Sequence, residues 1–190
     1  MLNLKTAFSY SIAAEIMPDI SYFKKKAIPT KFALILKTGE SFSIPEIYDI
    51  KTRTGLSPLF LDIFENSNSE LLRSYARSLG ASVVKAKNQS KFASGIKECS
   101  FSISEDFAGA LLSFLSHTPT YAYAGCTENR ILIGQMCKLD MPPGAIMPYT
   151  KNRTAIISRP ISEYEDFSAA IKKIRANIGN ALCGEFEKRY

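Results

Sequence analysis

The sequence predicts an α+β protein: a small helical unit with a preceding β-hairpin, then an antiparallel sheet covered by two helices. Three observations carry this expectation. Helix-start and helix-stop signals crowd into residues 43–80. Short β-prone runs alternate with turn-rich separators over 120–158. Two apolar stripes at helical spacing, in 105–116 and 163–182, are each suited to covering a sheet. With 46% hydrophobic residues among 190 the chain can bury a core, and 22% charged residues is an ordinary globular share.

Residues 31–36 and 41–44 are β-prone runs joined by Lys37-Thr38-Gly39-Glu40, a connection of hairpin length. Ser43-Ile44-Pro45-Glu46 then combines a capping box with Pro in the first turn, so a helix opens near Pro45 and closes at Gly55. Ser57-Pro58 repeats the start signal for a short helix to about Glu65, which Asn66-Ser67-Asn68-Ser69 breaks. Ser69 caps a third helix, in which Leu71, Leu72, Tyr75, Ala76 and Leu79 keep a 3.6-residue spacing and Gly80 stands at the left-handed C′ position. Residues 81–86 extend as a strand. The polar stretch 87–95 reads as a linker between a unit at 1–86 and a unit at 96–190.

Beyond that linker a strand is expected at 96–103. A helix follows at 105–116, with Phe107, Ala110, Leu111, Phe114 and Leu115 on one face. Further strands are expected at 120–124, 130–138, 145–149 and 154–158, and their turn-rich separators make them an antiparallel meander. A second capping box, Ser162-Glu163-Tyr164-Glu165, opens the last helix, whose stripe runs through Phe167, Ile171, Ile174, Ile178 and Leu182.

The net charge is +6, and residues 1–95 hold 13 basic against 8 acidic groups, which favours a polyanionic partner. Cys99, Cys126, Cys137 and Cys183 form no C-x-x-C pair and the chain has one His, so no zinc site is expected. They read as reduced thiols, with Cys126 the most accessible, in a cytoplasmic protein; secretion as an effector stays open. No membrane is expected as partner, because no apolar run reaches the roughly 18–20 residues a span requires. No phosphate loop, dinucleotide fingerprint or metal cluster is present, so no cofactor is expected.

Within 44–86, three segments have a recognisable shape: Thr52-Arg53-Thr54-Gly55-Leu56-Ser57, then Ile63-Phe64-Glu65-Asn66, then the run from Leu71-Leu72-Arg73 to Ser78-Leu79-Gly80. Together they resemble the core of the lambda-repressor-like helix-turn-helix family. The resemblance implies a recognition helix at 58–65 laid in the DNA major groove. It further implies phosphate contacts from Lys51, Arg53, Ser57, Arg73 and Arg77. Lys51 departs from the small residue that the family prefers, and Leu59, Asp62 and Ile63 are poor readers of base edges. The first functional expectation is thus a DNA-binding regulatory protein, with a second unit for dimerisation, as a homodimer, or for ligand sensing.

A second expectation, of a different class, is a small enzyme or bacterial effector acting on protein or nucleotide substrates. His117 lies nine residues before Cys126, so an imidazole-activated thiol is conceivable if the two meet in space. Ser116-His117-Thr118-Pro119-Thr120 followed by Glu163-Tyr164-Glu165 faintly resembles the Ser-Thr and Glu-x-Glu elements of ADP-ribosyltransferases. That resemblance implies catalytic roles for Glu163 and Glu165, although a capping box already accounts for both carboxylates.

Overall fold

The run Phe32-Ala33-Leu34-Ile35-Leu36 has no polar alternation and is wholly buried, the mark of a strand covered on both faces. In the computed structural model, which describes residues 29–39, 41–63, 69–86, 88–137, 146–151 and Ile157, this run is the core of β1 (Lys31–Ile35). Five helices and five more strands follow: α1 (Ile44–Thr54), β2 (Ser57–Asp62), α2 (Ser69–Leu79), β3 (Ser82–Lys85), α3 (Gln89–Lys97), β4 (Cys99–Ser104), α4 (Phe107–Leu115), β5 (Thr120–Tyr123), α5 (Thr127–Cys137) and β6 (Ile146–Tyr149).

A helix stands between every two consecutive strands, so consecutive strands run the same way. The six form one parallel sheet in the order β3-β2-β1-β4-β5-β6. This is an α/β Rossmann-like fold. It overturns the expectation of α+β architecture with an antiparallel meander. Strands from both expected units lie in the same sheet, and the segment read as a linker forms α3.

Three local expectations also fail. Residues 41–44 are no strand; Ser41 and Phe42 belong to the loop before α1, so there is no hairpin. Ser57-Pro58 opens β2 and not a helix: Pro58 pairs with Phe32 near the strand's start, where its missing N–H costs least, and Ser57 N–H donates to Thr30 O at 3.0 Å. Residues 130–138, with β-branched Ile131 and Ile133, read as a strand, but residues 127–137 form α5, and Ile131 is exposed. The helix expected at 163–182 and most of the strand expected at 154–158 lie outside the described residues.

Other elements form where their signals stand. The Glu46 carboxylate accepts from Ser43 N–H at 2.7 Å and from Ser43 Oγ at 2.8 Å, anchoring the start of α1. Gly55, at φ 68°, ends α1 in the left-handed region. One face of the sheet carries Phe32, Leu34, Phe60 and Phe101 against Ile47 and Ile50 of α1 and Leu72, Ala76 and Leu79 of α2. The other face carries Ala33, Ile35, Leu59 and Leu61 against Phe92 and Ile96 of α3, with Leu112 of α4 at its margin.

The second face is shaped for close approach of α4. Ser102 Oγ bonds Thr120 Oγ1 at 2.9 Å, and Ser104 Oγ donates to Asp106 O at 2.7 Å, so these small strand side chains are satisfied while leaving room above them. A Cβ on Gly109 would lie 2.5 Å from Ser104 Oγ and 2.6 Å from Ile35 Cγ2. Gly109→Ala is therefore expected to destabilise the protein by about 1–3 kcal/mol through overpacking. That outweighs the roughly 1 kcal/mol that alanine gains in a helix. Urea denaturation of the two proteins measures the difference.

Candidate functional site

The sheet turns back on itself between β1 and β4. From β1 the chain passes to β2 on one side, and from β4 to β5 on the other. The chain thus leaves these two adjacent strands toward opposite sides, and their carboxyl ends mark the place where open α/β sheets bind ligands.

At this switch point lies the loop between β1 and α1. Gly39 there has φ 75°, a left-handed conformation that curls the backbone and turns successive N–H groups toward one point. A larger residue would be strained at this φ, and its Cβ, 2.4 Å from Leu71 Cδ2, would force that side chain to move. Glu105, immediately after β4, reaches into this curl. Its Oε2 accepts from the N–H groups of Lys37 at 2.7 Å, Thr38 at 2.9 Å and Gly39 at 3.1 Å. Its Oε1 accepts from Ser41 N–H at 3.0 Å and from the Ser41 hydroxyl. Five donors from one loop thus converge on a single carboxylate that is 8% exposed.

Burial alone would push the Glu105 carboxyl up. The hydrogen bonds from the Ser41 hydroxyl and from the N–H groups of Ser41, Thr38 and Gly39 outweigh it and hold the group below its ordinary 4.5. Glu105 is thus an anion at neutral pH. Tyr149, at the end of β6, donates to Ser41 Oγ at 3.3 Å, extending the chain Tyr149 to Ser41 to Glu105 across the sheet. Burial, with the nearby Glu105 charge, keeps the Tyr149 phenol protonated well above its ordinary range, despite the opposing bond to Ser41. Its ring packs on Phe42 and Tyr123, with centroids 5.0 and 5.4 Å away.

The Glu105 backbone is pinned independently of its side chain. Its N–H donates to Ile35 O at 3.1 Å, and its carbonyl accepts from Asn129 Nδ2 at 3.1 Å. The same Nδ2 donates to Tyr123 O at 3.1 Å, so fully buried Asn129 ties together the ends of β4 and β5. Asp106 caps α4 through Ala108 N–H at 2.8 Å, and the exposed Lys37 ammonium stands 3.9 Å from Asp106 Oδ1. At the same edge of the sheet lies the turn after β5, where Gly125 and Thr127 are exposed and Cys126 half-buried.

The residues expected to contact DNA phosphates are spread over α1, β2 and α2. Lys51 Nζ donates to Leu79 O at 3.1 Å, joining α1 to the end of α2. Arg53 pairs with Asp49 at 2.8 Å and donates to Ile157 O at 3.0 Å. Ser57 starts β2 at the opposite edge of the sheet from the switch point, and Arg73 and Arg77 are exposed on α2. The expected recognition helix at 58–65 has as its core the buried strand β2, in the interior of the sheet. That arrangement overturns the helix-turn-helix resemblance and the DNA-binding function drawn from it.

Of the enzyme candidates, His117 and Cys126 lie at opposite ends of β5. His117 is buried before β5, with φ 56° and its N–H donating to Phe114 O at 2.9 Å; Cys126 follows the other end of β5. The strand between them separates imidazole from thiol, so no Cys–His pair forms. Glu163 and Glu165 lie outside the described residues. Cys99 and Cys126 are thiols outside any disulfide, Cys99 buried with its Sγ 3.5 Å from Gly95 O. Among the described residues no three His, Cys, Asp or Glu side chains converge as metal ligands, and no helix is long and apolar enough to cross a membrane.

Sequence reading missed Glu105 as a site residue and Asn129 altogether. The available signal was a carboxylate directly after an apolar strand; its partners, 64 to 68 positions earlier, are set only by the parallel pairing of β1 with β4.

No family model matches the sequence, and no curated protein matches it. Among solved structures, the chain is similar to AviGT4, a glycosyltransferase involved in avilamycin A biosynthesis, with a TM-score of 0.55 and 8% identity. The match covers 90% of this chain and 56% of that one, so the chain corresponds to little more than half of that protein. At this identity the likeness is one of fold.

Proposed function

We propose that the protein binds a nucleotide-activated sugar at the carboxyl edge of its sheet, as one Rossmann-type unit of a glycosyltransferase-like architecture. The observation that carries this reading is the reversal of strand order between β1 and β4, beside a loop whose backbone N–H groups converge on an anion. A parallel sheet offers its ligand site at such a reversal of strand order, and oriented N–H groups suit phosphate oxygens. The likeness to a glycosyltransferase narrows the ligand from nucleotides in general to nucleotide sugars. The loop carries only Gly39 and no Gly-x-Gly-x-x-Gly pattern, which disfavours a dinucleotide cofactor.

Binding is the direct readout of this reading. Calorimetric titration with UDP-, dTDP- and GDP-linked hexoses is expected to give saturable 1:1 binding for at least one of them. The matching free hexose should bind far more weakly, since it lacks the phosphates. Absence of saturable binding by every member of the panel would overturn the reading.

A further inference from the structure

We propose that the loop between β1 and α1 is the phosphate subsite of this site, and that Glu105 occupies it as an internal stand-in until ligand phosphate displaces its side chain. The inference rests on the reading of the switch point as a nucleotide-sugar site and names the part that would take the phosphates.

The donors are too many and too well aimed to be explained by loop closure alone. Three N–H groups meet Oε2, and one N–H with one hydroxyl meets Oε1, all within hydrogen-bond distance and all from the single turn bent by Gly39. Each phosphate of a nucleotide sugar presents the same kind of acceptor, two non-bridging oxygens that share one negative charge, as a carboxylate does. The cradle therefore suits either occupant, and charge repulsion prevents both from holding it at once.

Exchange requires little rearrangement. The Glu105 backbone stays fixed by Ile35 O and Asn129 Nδ2, so only the side-chain torsions need turn to withdraw the carboxylate. The Lys37 side chain is exposed at the rim, and its 3.9 Å contact with Asp106 is long for an ion pair. It can accompany an incoming phosphate. Ser41, whose hydroxyl also accepts from Tyr149, keeps a donor pointed into the cradle after Glu105 leaves.

The test follows the backbone amides of Lys37, Thr38, Gly39 and Ser41 by two-dimensional NMR. In Glu105→Ala, inorganic phosphate is expected to shift all four saturably, at concentrations that leave them unmoved in the wild type. Glu105→Gln keeps the bulk but sets an NH2 group among N–H donors, and the same response is expected there should the alanine variant not fold. In the wild type, UDP-glucose or another binding member of the panel should shift the same four amides. Nucleotide-sugar binding that leaves these amides unmoved would overturn the phosphate subsite while leaving the wider reading intact. Phosphate uptake by the variants, with no nucleotide sugar bound by the wild type, would support the cradle and defeat the wider reading. No phosphate response in either variant would overturn the cradle.

Discussion

Glu105→Ala is expected to lower the stability of the protein by about 3 kcal/mol at pH 7, because hydrogen bonds to a buried charged group contribute roughly 1.5–3 kcal/mol each and several are lost together. The loss falls short of the sum of five bonds. Relief of carboxylate desolvation and entry of water into the cradle both offset it. Urea unfolding at pH 7 measures the effect, and added phosphate should restore part of the stability of the variant by mass action. The pH dependence has a definite sign. The folded-state value of Glu105 lies below 4.5, so its contribution is fully present above that pH and disappears as pH falls through the lowered folded value. The stability difference between wild type and Glu105→Gln should therefore be largest near neutrality and shrink in acid.

Asn129→Asp is expected to be at least as damaging, at roughly 3–5 kcal/mol, because it buries an unpaired charge. Asn129 Nδ2 donates to the carbonyls of Glu105 and Tyr123 from a site with no exposure. An aspartate there removes both donors and sets a carboxylate against two carbonyl oxygens. Asn129→Ala removes the donors without adding charge and should cost less, about 2 kcal/mol. Thermal unfolding of both variants separates the two contributions. Equal losses would mean that the site admits enough water to solvate the aspartate.

Local signals survived into the fold where a helix declares its own ends. Ser43 with Glu46, Gly55, and the stripe from Leu71 to Leu79 before Gly80 place α1 and α2, and the apolar face of Phe107, Ala110, Leu111 and Phe114 places α4. The class was lost at α3 and α5. Gly95 made α3 look like a loop, yet glycine is there because a Cβ would lie 2.7 Å from Leu61 Cδ2 of the sheet below. Asn88 caps that helix by accepting from Lys91 N–H at 3.0 Å, a signal present in the sequence but outweighed by the polar composition around it. With α3 taken for a linker and α5 for a strand, the alternation of strand and helix was no longer visible, and antiparallel pairing became the natural inference. Of the site, only Gly39 was legible as a turn residue. Its role beside Glu105 depends on strands that are adjacent in space and far apart in sequence, so no local pattern could expose it.

The most direct measurement is the location of the nucleotide-sugar footprint on the wild-type protein, read from amide shifts at both edges of the sheet. The predicted result is saturable change confined to the carboxyl edge: residues 37–41 after β1, Glu105 and Asp106 after β4, and Gly125 to Thr127 after β5, with Ser57, Ser82 and Thr118 at the opposite edge unaffected. A footprint centred on the opposite edge, or on the exposed faces of α1 and α2, would contradict a ligand site at the reversal between β1 and β4.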